Sequence, residues 1–356
     1  FLEEVSRINR ETSDSIFIGI TGSCGKTSLK EMTKNVFQTF TSISASKKSF
    51  NNKYGVPLSL FNFNNNDPYG VFEIGMDKKG EIDELSKIIQ PDIGVITNIS
   101  YAHAKNFKNI KEIALAKAEI ISNIKEDGSI VLNADDKFYK LFKEIAFRKK
   151  IKVYSFSLKK NNVTTKLNYI KKYKSKFKIS VNIKNQKKYF FIKSNFEKNI
   201  KNLLAAITVI SVIRCTQELK TNIFYNMKTL SGRGDISKLK VNKKNIFLID
   251  ESYNSNPLSL SSAIKNFDLI NIKYQKKHLI LGDMLELGIH SKKMHSKISD
   301  IINSSSIDTV SIFGKNVRET YKYIHKNKKG LILNKSSEIF DLIKNNLNNN
   351  DYLMVK

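Results

Sequence analysis

The 356 residues contain no tryptophan, two cysteines and only four prolines. Cys24 and Cys215 stand far apart, which excludes a disulfide framework or a cysteine-based metal pattern and fits a reducing compartment. No apolar run approaches the ~18 residues of a membrane span, and the first 20 residues lack the charged-then-apolar order of a signal peptide. A cytoplasmic chain without membrane insertion is therefore expected. Acidic residues are also scarce, 33 against 61 basic ones, for a net charge of +28. Such an excess favours contact with polyanions. Here the lysines read as spread along the chain among many Asn and Ile, so no nucleic-acid partner is expected and the excess is taken to attract anionic nucleotides. With 40% hydrophobic residues, the length suffices for two or three packed domains.

What is present is a phosphate cradle. The apolar run Ile16–Ile20 empties into Thr21-Gly22-Ser23-Cys24-Gly25-Lys26-Thr27-Ser28, and Leu29, Met32, Val36 and Phe40 follow at helical spacing. Glycines let backbone N–H groups turn onto phosphate oxygens, Lys26 neutralises the terminal phosphates, and the Thr27 hydroxyl can ligate Mg²⁺. The glycines are Gly19, Gly22 and Gly25, so the loop is shorter at its front than the common P-loop. A chance Gly-Lys-Thr in a lysine-rich chain is the competing reading, and the strand before and helix after argue against it.

Strands and helices alternate to about Ile151, which indicates α/β architecture with a parallel sheet: strands at Val71–Ile74 and Ile93–Thr97, and a helix at Ile82–Ile89 stopped by Pro91. Alternation from Phe177 to Ile183, followed by a second apolar run after Asn185-Gln186, predicts a small antiparallel hairpin there. A helix carrying Leu203, Leu204, Ile207 and Ile210 leads to the turn-rich Ser231–Asp235, taken as a domain boundary. A second α/β unit follows, with strands at Ile246–Ile249, His278–Leu281, Thr309–Phe313 and Tyr352–Val355.

Further polar clusters fall where strands hand over to loops, the usual place of sites on open α/β sheets. They are Ser49–Pro57 with Asn51 and Asn52; Phe72-Glu73-Ile-Gly75 before Gly80-Glu81-Ile82; Thr97-Asn98 with Ala102-His103; Ala116-Lys117-Ala-Glu119; Asp250 through Tyr253-Asn254-Ser-Asn256-Pro257; and Gly282-Asp283-Met-Leu-Glu286-Leu-Gly288. Taken singly, Glu73 and Asp250 read as capping or surface carboxylates, Lys117 as a solvated helix lysine, His103 as a packing histidine and Asn51 and Asn52 as turn residues.

In order and spacing, the set resembles the Mur ligases of bacterial cell-wall synthesis, most of all the MurF-type branch, whose loop has the same shortened form. The resemblance implies a P-loop ATPase-type central domain with a mostly parallel sheet at 15–232 and a Rossmann-like C-terminal domain at 233–356. Residues 1–14 would be the remnant or linker of an N-terminal domain that holds the uridine diphosphate of the substrate, and family members continue beyond Met354-Val355-Lys356. It further implies ATP-dependent joining of D-alanyl-D-alanine to a UDP-linked muramoyl tripeptide through an acyl phosphate, by a monomer. A sister ligase with another amine substrate is the alternative, and a basic nucleic-acid-binding protein with an incidental P-loop the more distant one.

The roles implied follow residue by residue. Lys26, His103 and Lys117 would be catalytic; Thr27, Glu73, His103 and Lys117 would hold two Mg²⁺ ions, Lys117 as its carbamate. Thr21 to Ser28 and Asn98 would meet the phosphates. Arg233, Asp250, Tyr253, Asn254 and Asn256 would meet the rest of the nucleotide on domain closure, and Asn51 and Asn52 the substrate. Asp77-Lys78 and Lys198 depart from the family pattern at positions linked to substrate.

Overall fold

The computed structural model describes residues 1–193, 197–227 and 229–356, with residues 197 and 198 described by backbone only. The Lys198 side chain lies outside the described residues. The chain divides into two units: Phe1–Ile99 with Phe107–Met227, and Ser100–Asn106 with Lys228–Lys356.

Unit one opens with α1 (Leu2–Glu11), β1 (Ile16–Thr21), α2 (Lys26–Phe37), β2 (Ser44–Ala45), α3 (Gly55–Phe61) and β3 (Tyr69–Glu73). It continues through α4 (Glu81–Ile89), β4 (Ile93–Ile96), α5 (Ile110–Ser122), β5 (Ser129–Asn133), α6 (Tyr139–Arg148) and β6 (Lys152–Ser157). It closes with β7 (Thr165–Tyr173), β8 (Lys176–Ile183), β9 (Gln186–Ile192) and α7 (Glu197–Val212). The nine strands form one sheet in the order β2-β3-β1-β4-β5-β6-β7-β8-β9, parallel as far as β7 and antiparallel over the last two pairings.

Successive residues of a strand point to opposite faces, so β1 feeds two cores. Ile18 and Ile20 join a cluster with Leu29, Val36 and Phe37 of α2 and Leu203, Ile207 and Ile210 of α7. On the other face Phe17 packs on Phe63 and Phe72. Because the chain leaves β1 for β3 on one side and β4 on the other, the sheet switches direction there, and the loops after all three strands open at one edge.

The hairpin expected from Phe177 is present as the antiparallel pair β8–β9, which also extends the large sheet through β7, and Ile179, Val181 and Phe190 bury against α7. One helix boundary differs from the expectation. The helix after the phosphate loop starts at Lys26, three residues before its first apolar position, because the orphan N–H groups of its first turn line the loop. Residues 1–14 contain a packed helix, α1. Arg10 of α1 is buried and donates to Ile89 O at 2.7 Å, Gln90 O at 2.9 Å and Asp92 Oδ2 at 3.1 Å, with its guanidinium 4.0 Å from the Phe17 ring centre.

Unit two comprises β10 (Asp235–Val241), β11 (Lys244–Asp250), α8 (Pro257–Asp268), β12 (Lys277–Leu281), α9 (Ser291–Asn303), β13 (Thr309–Phe313), α10 (Arg318–Tyr323), β14 (Lys329–Leu333), α11 (Glu338–Asn346) and β15 (Tyr352–Val355). Its sheet order is β10-β11-β15-β12-β13-β14, parallel except for the β10–β11 hairpin. The sequence reading missed β10 and β14. No helix among the described residues is long and apolar enough to cross a membrane.

Candidate active site

The loop after β1 is held from the loop after β4. Asn98 accepts from Ser23 N through its carbonyl at 2.9 Å and from Cys24 N through Oδ1 at 3.0 Å, while its Nδ2 donates to Cys24 O at 3.0 Å. Thr97 Oγ1 donates to the same carbonyl at 2.7 Å. Asn98, expected at the phosphates, therefore spends its amide on the loop backbone. Two glycines are dictated by shape: Gly22, at φ +141, would put a Cβ 1.9 Å from Thr97 Oγ1, and Gly25, at φ +83, would put one 3.0 Å from Asn202 Oδ1. The result is a tight turn ending on the N-terminus of α2, where backbone N–H groups and the helix dipole favour an anion. Lys26 folds back across it, Nζ donating to Gly22 O at 3.0 Å. Ser28 is half-buried in the first turn of α2, and the Thr21 hydroxyl is buried with no hydrogen-bond partner among the described residues.

Beside the loop, Thr27 Oγ1 donates to Glu73 Oε2 at 2.7 Å, and Asn51 Nδ2 donates to Glu73 Oε1 at 2.7 Å. Glu73, the last residue of β3, is 2% exposed, and among the described residues no lysine or arginine pairs with it. A buried carboxylate beside a hydroxyl and an amide, with no cation of its own, is a hard-oxygen donor set suited to Mg²⁺. Asn52 is separate: its Oδ1 accepts from Gly55 N at 2.9 Å and caps the start of α3, the turn role that its residue type allows.

Lys117, on α5, is 1% exposed. Burial, reinforced by the positive charge of Lys26, drives its ammonium well below the usual lysine range. The solvated-lysine reading fails here because α5 is covered on the side that carries Lys117. Glu119 points elsewhere, accepting from Gly80 N at 3.0 Å and Asp83 N at 3.2 Å at the start of α4, and burial raises its carboxyl.

Two further residues support this end of the sheet and were missed in the sequence. Lys30 is fully buried, its Nζ donating to Ser46 O and Lys48 O and so fixing the segment that carries Asn51. Ser46 Oγ accepts from Glu73 N at 3.2 Å. Position in the second turn after the cradle was the only signal for Lys30, and in a lysine-rich chain that signal is faint.

His103 belongs with unit two, in the short segment Ser100–Asn106. Its Nδ1 stands 2.6 Å from Glu286 Oε2, and Lys105 N donates to Glu286 O at 2.8 Å. In the same unit the Arg233 guanidinium lies 4.0 Å from the centre of the half-exposed Tyr253 ring. Asp250 Oδ1 accepts from Ser252 N and Oγ at 3.0 and 2.6 Å. Asn254 Oδ1 accepts from Ser255 N at 2.7 Å. Asn256 caps α8, its Oδ1 accepting from Ser259 N at 3.0 Å. Asp283 accepts from Val317 N at 2.8 Å and so fixes the turn into α10.

The family model for the Mur ligase middle domain matches residues 20–210, and that for the Mur ligase glutamate ligase domain matches residues 238–356. The chain belongs to the Mur ligase family. This Mur ligase is 32% identical over 347 residues to the UDP-N-acetylmuramoyl-tripeptide–D-alanyl-D-alanine ligase of Buchnera aphidicola subsp. Baizongia pistaciae, covering 97% of this chain and 73% of that one. In fold it matches MurF from Acinetobacter baumannii with a TM-score of 0.88 at 23% identity, over 99% of this chain and 76% of that one. It also matches MurF ligase from Thermotoga maritima in complex with ADP, with a TM-score of 0.85 at 24% identity, over 99% of this chain and 79% of that one.

Proposed function

We propose that this Mur ligase uses ATP to join D-alanyl-D-alanine to the terminal carboxylate of a UDP-N-acetylmuramoyl tripeptide. The observation that carries the reading is the Thr27–Glu73–Asn51 cluster beside the phosphate cradle and the buried Lys117. The substrate class comes from the named function of the Buchnera relative.

The chemistry transfers the γ-phosphoryl group of ATP to the tripeptide carboxylate, giving an acyl phosphate and ADP. The dipeptide amine then attacks the acyl carbon, and inorganic phosphate leaves as the amide forms and the amine proton is released. Such a reaction needs positioned charge more than covalent help. The loop backbone would cradle the β-phosphate, and Lys26 would exchange Gly22 O for phosphate oxygens. Thr27 and Glu73 would hold Mg²⁺, which supplies charge neutralisation of the phosphoryl oxygens. Asn51 fixes the orientation of the Glu73 carboxylate. Burial favours the neutral form of Lys117, which would have the free lone pair needed to add carbon dioxide; the N–C bond would form, a proton would leave, and the resulting carbamate would offer the oxygen ligands that a bare amine lacks.

The test is ADP release with Mg-ATP and UDP-muramoyl tripeptide, with and without D-alanyl-D-alanine. Release that requires both acceptor and dipeptide is the expected result. Release triggered by a different amine would move the chain to a sister ligase, and none would refute the ligase reading.

A further inference from the structure

The positive charge of the chain is concentrated. Residues 145–196 contain sixteen of the 61 basic residues and none of the 33 acidic ones. More than half of the net charge thus falls in about a seventh of the chain, contrary to the even spread expected above. Most of this segment is the β7–β8–β9 end of the large sheet.

The pairing register shows what the two faces of that end carry. Ile179, Val181, Ile183, Phe190 and Ile192 point inward to the core with α7. The opposite face holds cross-strand rows: Tyr173 beside Lys176; Lys171, Lys178 and Phe191; Tyr169, Ser180 and Tyr189; and Lys166, Asn182 and Lys187. Lysines and aromatic rings interleave. Lys176 Nζ lies 3.7 Å from the Phe191 ring centre and Lys178 Nζ 4.3 Å from that of Tyr189. Tyr173 and Tyr189 are 49% and 37% exposed. Among the described residues none of the face lysines has a carboxylate partner.

We propose that this outer face of β7–β8–β9 docks the protein peripherally on an anionic lipid surface. Three features favour that occupant. The face is a sheet surface rather than a groove, which suits a planar partner. All its cations are lysines, compact charges suited to a diffuse anionic field, with no arginine to read phosphates bidentately. Its rings are tyrosine and phenylalanine flanked by ammonium groups, the combination that settles at a lipid headgroup boundary. Clusters of four to eight such cations are enough for reversible, salt-sensitive attachment.

The experiment is co-sedimentation of the whole chain with phosphatidylglycerol–phosphatidylcholine vesicles and with pure phosphatidylcholine vesicles, at low and high salt. The expected result is binding to the anionic vesicles alone, abolished by high salt. The triple variant Lys171→Glu, Lys176→Glu, Lys178→Glu should lower the partition coefficient by about 100-fold. A control variant Lys293→Glu, Lys297→Glu, Lys344→Glu, with the same net charge, should lower it far less. Circular dichroism melts of both variants establish that they fold. No binding to anionic vesicles, or equal loss in the control, overturns the proposal. Tighter binding to a single-stranded oligonucleotide at the same salt, lost in the first variant, would overturn it in favour of a nucleic-acid partner.

Discussion

Lys117 is the residue whose surroundings decide its chemistry. A lysine amine in water is protonated up to a pH of about 10.4, whereas burial and the Lys26 charge push this one well below that range in the folded chain. The unfolded chain therefore binds the extra proton, and stability rises with pH from the lowered folded value up to the unfolded one. Lys117→Met removes that proton. In carbon-dioxide-depleted buffer, the pH dependence of stability of the native chain over this window should exceed that of the variant by roughly 1.4 kcal/mol per pH unit. Denaturant titrations across pH check this, and equal slopes would contradict a neutral Lys117. The same variant should lose ligase turnover by about 100-fold or more, while nucleotide binding, which rests on the loop, persists.

At the scale of elements, Arg10 ties α1 to the end of α4, while Ser6 and Asn9 donate to Pro57 O and Leu60 O of α3 at 2.7 and 3.0 Å. Arg10 satisfies carbonyls at the end of α4 and pairs with Asp92, whose Oδ2 also accepts from Phe17 N at 2.7 Å. Removing the guanidinium takes the donor from the buried Ile89 carbonyl and the cation from the partly exposed Asp92, so Arg10→Ala should cost about 3 kcal/mol in a urea titration. At the other end of the chain the capping box of α8 separates two readings of Asn256. If the side chain only caps the helix, Asn256→Ala costs about 1 kcal/mol and Asn256→Ser restores it, serine being an equal cap. If it also meets nucleotide, Asn256→Ser regains stability but not ATP affinity, and parallel melts and binding titrations distinguish the two. Elements whose apolar positions recur cleanly were legible in the sequence, β1, α4 and β12 among them. Strand β10 was not, because Asp235–Val241 buries little and owes its place to the hairpin turn at Asn242 and Lys243, both at positive φ. Strand β14 pairs only along one edge, beside β13, and carries no alternation strong enough to read.

For the whole molecule the charge balance sets the response to salt. With +28 net charge, compaction brings like charges together, and added salt screens them over about 10 Å at 0.1 M. The melting midpoint should therefore rise as sodium chloride is added from a low-salt buffer, and less steeply once Lys171, Lys176 and Lys178 are reversed. A flat response in the native chain would show that the face lysines are too well hydrated to repel one another.

The sequence by itself determined the α/β class, the phosphate cradle and the order of motifs, because these depend on local spacing: glycines where the backbone must turn, apolar residues at periods of two and 3.6. Family membership was legible for the same reason, since the motifs are contiguous. Tertiary structure alone decided that Asn51 and Thr27 meet on Glu73, that Asn98 clamps the loop, that burial pushes the Lys117 ammonium below its usual range and that the segment with His103 groups with unit two. It also decided that the lysines of three strands share a face. Each of these depends on which distant residues exclude water from a group or align it across a sheet, and no local pattern encodes either.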